Sequence, residues 1–97
     1  MAADPYDTLT ASLANREHSR VELDRKLQSR HPALSQSERK VLLDRLIELN
    51  LQSDERFAEM LIRSRLQRGQ GRRRIEQELG SHLIDVSGVA RHFDEAD

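Results

Sequence analysis

Apolar positions along the chain recur at helical spacing, in short runs separated by Ser, Asp, Asn, Gly and Pro, and six such runs predict six helices. Asp4-Pro5 opens the first, with Asp as N-cap, Pro at the first helical position and Asp7 in the first turn. Tyr6, Leu9 and Leu13 then share one face, to about Asn15. Ser19 with Glu22 makes a capping box for the second helix, which carries Val21, Leu23 and Leu27. It ends near Arg30, because His31 precedes Pro32 and pre-proline residues disfavour the α conformation. Ser35 with Glu38 is a second capping box, and the helix behind it carries Leu42, Leu43, Leu46, Ile47 and Leu49. That stripe covers an arc of roughly 160°, which predicts a helix packed on more than one side, ended by Asn50 in a left-handed conformation. Ser53 caps a fourth helix, with Asp54 and Glu55 in its first turn, Phe57, Ala58, Leu61, Ile62 and Leu66 on its inner face, and Gly69-Gln70-Gly71 breaking it. A fifth carries Ile75 and Leu79 and stops at Gly80. Asp85 caps a sixth with Val89, Ala90 and Phe93, which Gly88 weakens.

The six helices contain a repeat. Arg16-x-x-Ser19-x-x-x-Leu23-x-x-x-Leu27 matches Arg68-x-x-Gly71-x-x-x-Ile75-x-x-x-Leu79 at an offset of 52, and Leu9 matches Leu61 at the same offset. Leu42, Leu43, Leu46 and Leu49 match Val89, Ala90, Phe93 and Ala96 at an offset of 47, the difference falling on the Arg30–Ser35 linker that contains Pro32. This reads as one all-α domain over 1–97 built from two three-helix copies, about 4–50 and 53–97. Chance recurrence of leucine is the plain alternative.

Composition agrees with helices. Charged residues make up 34% and hydrophobic residues 36%, with one Tyr, two Phe and no Trp, a profile poor in strand formers. No run of about 18 apolar residues exists to span a membrane. The N-terminus starts with small and acidic residues, so no signal peptide is expected. Cys is absent, which excludes disulfides and thiolate metal sites and fits a cytoplasmic protein. A chain of this length buries a modest core and is only marginally stable.

Charge changes the picture more. The net charge is −1, yet residues 56–74 carry seven Arg and one Glu, a balance of +6, leaving −7 for the rest. Such segregation decides where an anionic partner docks. The stretch Asp54–Leu79 is therefore the candidate site. Arg72, Arg73 and Arg74 stand where the fifth helix begins, an end that carries partial positive charge and normally prefers Asp or Glu. An external anion, phosphate first, would remedy this. On a helical wheel Arg63 lies opposite Phe57 and Leu61, Arg65 falls inside the apolar arc, and Arg68 sits near it at the helix end. A patch therefore forms only if the glycine turn brings Arg63 and Arg68 near Arg72–Arg74. The plain alternative is a solvated helix face that pairs Arg72 with Glu76 and Arg74 with Glu78 and leaves Arg73 unpartnered. Gly69 and Gly71 could let a phosphate approach backbone N–H groups, though a turn plus an N-cap explains them more simply.

Other chemistry is excluded or unsupported. No lysine-bearing phosphate loop or preceding strand is present. His18, His31, His82 and His92 have no i, i+4 partner among themselves, so no metal is expected, and no cofactor either. No nucleophile elbow surrounds any Ser and the carboxylates are scattered, so the chain does not read as an enzyme. Scarce aromatics argue against base stacking as a main binding mode.

The stretches REHSRVELDRKL and LIELNLQSDERFAEMLIRSRLQRGQGRRRIEQEL resemble the RecX family, regulators of the bacterial RecA recombinase. The specific parts are the run Asp54 to Ala58 and the run Arg68 to Leu79, the latter with slightly shifted spacing, and the likeness covers about Leu9 to Ala96. The resemblance implies an elongated array of tandem three-helix units with helices at right angles. It implies binding in the groove of the RecA–DNA filament, suppression of its ATPase and strand exchange, and binding of single- and double-stranded DNA. These are functions in homologous recombination, DNA repair and the SOS response. It assigns contacts to Arg63, Arg65, Arg68, Gly71, Arg72, Arg73 and Arg74. Family members usually have three such units and this sequence stops after two, at Asp97. A short product or a truncated chain is then expected, with an uncapped outer face and weak self-association through the sixth helix. Two other readings stay open. One is a stand-alone helix-turn-helix DNA binder with the fifth helix as reader, although no Asn or Gln stands early in that helix. The other is a helical scaffold binding proteins through its leucine faces.

Overall fold

The computed structural model of the protein describes residues 4–95. Ala96, last in the repeat match, and Asp97 of the acidic tail lie outside the described residues. The chain divides into two compact units between Ser53 and Asp54. Every regular element among the described residues is a helix, and no helix is long and apolar enough to cross a membrane.

The first unit contains α1 (Pro5–Asn15), α2 (Arg20–Arg30) and α3 (Gln36–Glu48). Each starts where its capping residue dictates. Asp4 accepts from the Tyr6 N–H at 2.8 Å, and both capping boxes, Ser19/Glu22 and Ser35/Glu38, are complete. At the other end of α2, pre-proline His31 leaves the helical region at φ −133°. Leu9, Leu23, Leu27, Leu43 and Leu46 form the core, with Tyr6, Leu13, Leu34 and Leu42 packed on it. One expectation fails here. The wide apolar arc of α3 is not buried on several sides, because Ile47 and Leu49 remain 44% and 48% exposed. Only the Leu43–Leu46 edge enters the core of this unit.

The second unit contains α4 (Asp54–Gln67), α5 (Arg72–Ser81), α6 (Val86–Val89) and α7 (Arg91–Glu95). Phe57, Ala58, Leu61 and Ile62 of α4 meet Ile75 and Leu79 of α5, and Ile84, Val89 and Phe93 close the core. Arg91 of α7 forms an ion pair with Glu55 in the first turn of α4. The sixth predicted helix is present as two short segments. At their junction the Phe93 N–H donates to Ala90 O at 3.1 Å, an i−3 bond of the tighter helical type.

The end of α5 differs from expectation. Gly80 lies inside the helix, and Leu83 takes the left-handed position at φ 58°. Three helix ends use the same device. Asn50 at φ 59°, Gly69 at φ 81° and Leu83 each precede a residue whose N–H reaches back five positions, Leu51 to Leu46, Gln70 to Arg65 and Ile84 to Leu79. At Leu83 the conformation costs a side-chain-bearing residue roughly 1–2 kcal/mol. The compensation is Ile84, which the turn delivers into the core at 8% exposure. Running α5 to Ser81 is what places Ile84 there; a left-handed turn at Gly80 would divert the chain three residues too soon.

Candidate polyanion-binding site

The site is built on the connection between α4 and α5. Left-handed Gly69 closes α4, its N–H donating to Leu66 O at 2.9 Å and that of Gln70 to Arg65 O at 3.0 Å. Gly71 is the N-cap of α5 in an ordinary extended conformation, φ −76° and ψ 157°, so glycine is not required there by the backbone. What glycine does is leave the helix start uncapped, with no side-chain hydrogen bond and open space where a Cβ would stand. Among the described residues no side chain caps the first turn of α5, and the three residues that open it are arginines.

The start of α2 in the first unit offers a contrast. There Ser19 caps α2, Glu22 returns a hydrogen bond to the Ser19 N–H, and Arg16 bonds Glu22 at 2.7 Å. Burial pushes the Glu22 carboxyl up, but the Arg16 guanidinium and the Ser19 N–H outweigh it and hold the group below its ordinary range. At the offset of 52, Ser19 becomes Gly71, Glu22 becomes Arg74 and Arg16 becomes Arg68. The capping box neutralised by Arg16 in the first unit has two arginines and a glycine at the aligned positions of the second.

The six arginines are not equivalent. Arg63 is turned back on its own helix to Glu59 at 3.1 Å. Arg65 crosses to α5 and grips Glu78 with two bonds of 3.0 and 2.8 Å, a bidentate fork that ties the two helices together. Arg65 has its fork committed to Glu78, whereas Arg63 gives one nitrogen to Glu59 and has its charge partly offset there. Arg72 lies 3.8 Å from Glu76 and stacks over the Phe93 ring at 4.4 Å from the centroid. Arg68, Arg73 and Arg74 are exposed and have no carboxylate in ion-pair contact among the described residues. The pairing of Arg74 with Glu78, expected from spacing, does not form because Arg65 takes that carboxylate. The turn also holds a residue that spacing did not flag: Gln70 buries its side-chain Oε1 without a hydrogen-bond partner among the described residues. No sequence signal marked it.

The Arg65 hydrogen bonds hold the Glu78 carboxyl below its ordinary value of 4.5, against an opposing push from burial. With the native value lowered relative to the unfolded one, the stabilisation is full above pH 4.5 and is lost as pH falls through the lowered native value. Glu78→Gln is expected to remove that acid-side slope while costing less than about 1 kcal/mol at neutral pH, since both side chains are partly exposed. Denaturant midpoints taken from neutral pH down to about pH 3 check this. Parallel curves for the variant and the parent protein would show that the pair contributes nothing.

No group of three or more His, Asp or Glu side chains among the described residues is placed to hold a metal ion. With caps, cores and this turn in place, the described residues form an all-helical protein with an open basic corner at the start of α5. Residues 53–86 match the family model described as RecX, second three-helix domain. The chain is also similar to the Regulatory protein RecX of Chromohalobacter salexigens, 47% identical over 89 residues, covering 92% of this chain and 57% of that protein. The Stenotrophomonas maltophilia (strain K279a) protein of the same name is 37% identical over 90 residues, covering 93% and 54%. That of Pseudomonas entomophila is 41% identical over 85 residues, covering 88% and 54%. The chain belongs to the RecX family. It spans about half the length of the curated relatives it matches.

Proposed function

We propose that this chain is a regulatory binding protein of the RecA–DNA filament, without chemistry of its own, and that it lowers ATP turnover and strand exchange by occupying the filament groove. In this reading the two units are copies of one three-helix repeat acting in the cytoplasm, and the cationic corner of the second meets DNA phosphate or acidic RecA surface. The observation that carries the reading is the set Arg68, Arg73 and Arg74, exposed around the uncapped start of α5 and outside ion-pair contact with any carboxylate among the described residues. Family membership supports the regulatory role, since the relatives are named regulatory proteins.

A sequence-reading helix-turn-helix is less well supported. Its reader helix would present three arginines in the first turn, which suit phosphates better than a mixed set of base edges. Self-association through the last helix has little surface to draw on, because Val89 and Phe93 are each only 5% exposed. The deciding experiment is RecA ATPase on single-stranded DNA titrated with this chain. ATP turnover should fall with added chain, less so at high salt. Turnover unchanged at saturation would overturn the reading.

A further inference from the structure

The first unit has a cationic feature of its own. Between α1 and α2 lies a cleft of about 460 Å³, lined by Asp7, Thr8, Ser12 and Asn15 of α1 and by Lys26 and Arg30 of α2. Lys26 and Arg30 are four residues apart and so lie on the same face of their helix. Like charges at that spacing are unfavourable unless something anionic lies between them or on them. Among the described residues, neither has a carboxylate partner. Arg16, Arg20, Arg39 and Lys40 of the same unit form ion pairs, whereas Arg25 and Arg45, like Lys26 and Arg30, do not among the described residues.

The floor of the cleft fixes one of the two cations. Ser12 is 4% exposed, and its hydroxyl donates to Thr8 O at 3.0 Å. With its proton committed, it can only accept, and it does so from Lys26 Nζ at 2.6 Å. The ammonium is thus held in position by a neutral group that does not cancel its charge. Two of its three N–H groups remain for a ligand, together with the Arg30 guanidinium and the Asn15 amide. The cleft has more donors than acceptors. Its lining carries two cations against one carboxylate, a balance of +1.

We propose that this cleft binds a phosphodiester of a single-stranded DNA backbone. A phosphodiester carries one negative charge and matches the balance of the lining; a phosphomonoester, with nearly two, would face Asp7 with charge left over. The cleft is open to solvent, so a phosphate inside a continuous chain can enter it. No aromatic side chain lines it, so binding is through backbone and independent of base sequence. This site lies in the first unit and does not rest on the arginines of the second.

The test uses the whole chain and a fluorescent thymidine oligonucleotide, by anisotropy over a range of salt concentrations, with RecA absent. A failure of the filament reading therefore leaves this result untouched. Lys26→Gln keeps a donor for Ser12, and Arg30→Gln removes a side chain with no ion-pair partner, so helicity should be retained. The double variant is expected to bind roughly tenfold more weakly. Its salt slope should fall by about 0.7, the loss of one single-strand phosphate contact. The charge-keeping pair Lys26→Arg with Arg30→Lys should retain the parent slope. Unchanged affinity and slope in the folded double variant would overturn the proposal. So would a double variant that binds the oligonucleotide normally but loses RecA-coated DNA, since the occupant would then be an acidic protein surface.

Discussion

Replacing Arg68, Arg73 and Arg74 together by Ala is expected to weaken binding to RecA-coated single-stranded DNA about a hundredfold, each charged contact contributing up to about a factor of ten. For contacts to a single strand the salt slope should fall by about 2, three contacts at roughly 0.7 each. Folding should respond in the opposite direction. None of the three is in ion-pair contact with a carboxylate among the described residues, and two of them stand in the first turn of α5, where positive charge opposes the helix dipole. Their removal should leave thermal stability unchanged or raise it by a few tenths of a kcal/mol. A variant that is as stable as the parent and still fails to bind locates the contact. One that binds with parental affinity and slope excludes it. Arg63→Ala is the useful companion, because its guanidinium is engaged by Glu59 and its loss should change affinity by less than about threefold.

That prediction differs from the one spacing alone gives, which pairs Arg72 with Glu76 and Arg74 with Glu78 and leaves only Arg73 unpartnered at the start of α5. Local rules were sufficient wherever the deciding partner lies within a turn. The boxes Ser19/Glu22 and Ser35/Glu38, the Asp4 cap and the left-handed Asn50 are contacts between residues two to five positions apart, and the order of residues fixes them. The buried leucines follow for the same reason, since helical period assigns a face before any partner is known. Which arginines are free was not legible. Arg65 reaches Glu78 across thirteen positions and Arg72 reaches Phe93 across twenty-one, and both depend on how Gly69 turns the chain. An i, i+4 rule sees only pairs within one helix, so it gave Glu78 to Arg74.

The same limit explains the helix ends and the cleft. Gly80 is the residue that propensity selects to terminate α5, yet Leu83 takes the left-handed position because Ile84 has to reach the core. Lys26 and Arg30 look like ordinary solvated charges on a polar helix until α1 places Ser12 beneath one of them. At Leu83 a tertiary neighbour overrides a local preference of roughly 1–2 kcal/mol, and at Lys26 it fixes a side chain that local rules leave free. The open corner of α5 is the exception that sequence did expose, since three arginines at a helix start are unfavourable wherever that helix packs.

Phe57→Ala is expected to have the largest effect on folding, because Phe57 is the bulkiest fully enclosed side chain of the second unit at 2% exposure. It projects from the first turns of α4 into the cluster with Ile75, Leu79 and Phe93, and its ring lies 4.6 Å from that of His82, tilted at 50°. Truncation removes this area from the core and leaves a cavity that four short helices cannot close, at a cost of about 3–5 kcal/mol. A unit of this size has total stability of only a few kcal/mol, so the loss is of the same order as the whole. The expected result is loss of amide protection throughout α4, α5, α6 and α7, rather than a local weakening near residue 57. Hydrogen exchange read residue by residue distinguishes the two. The site would go with the fold, since the Gly69 turn and the Arg65–Glu78 link hold only while α4 and α5 are packed. Phe57→Leu, which keeps most of the volume, should cost less than about 1.5 kcal/mol and preserve binding. If the Ala variant keeps near-parental protection across α5, the core is held by something other than this ring, and the link from packing to the exposed arginines has to be redrawn.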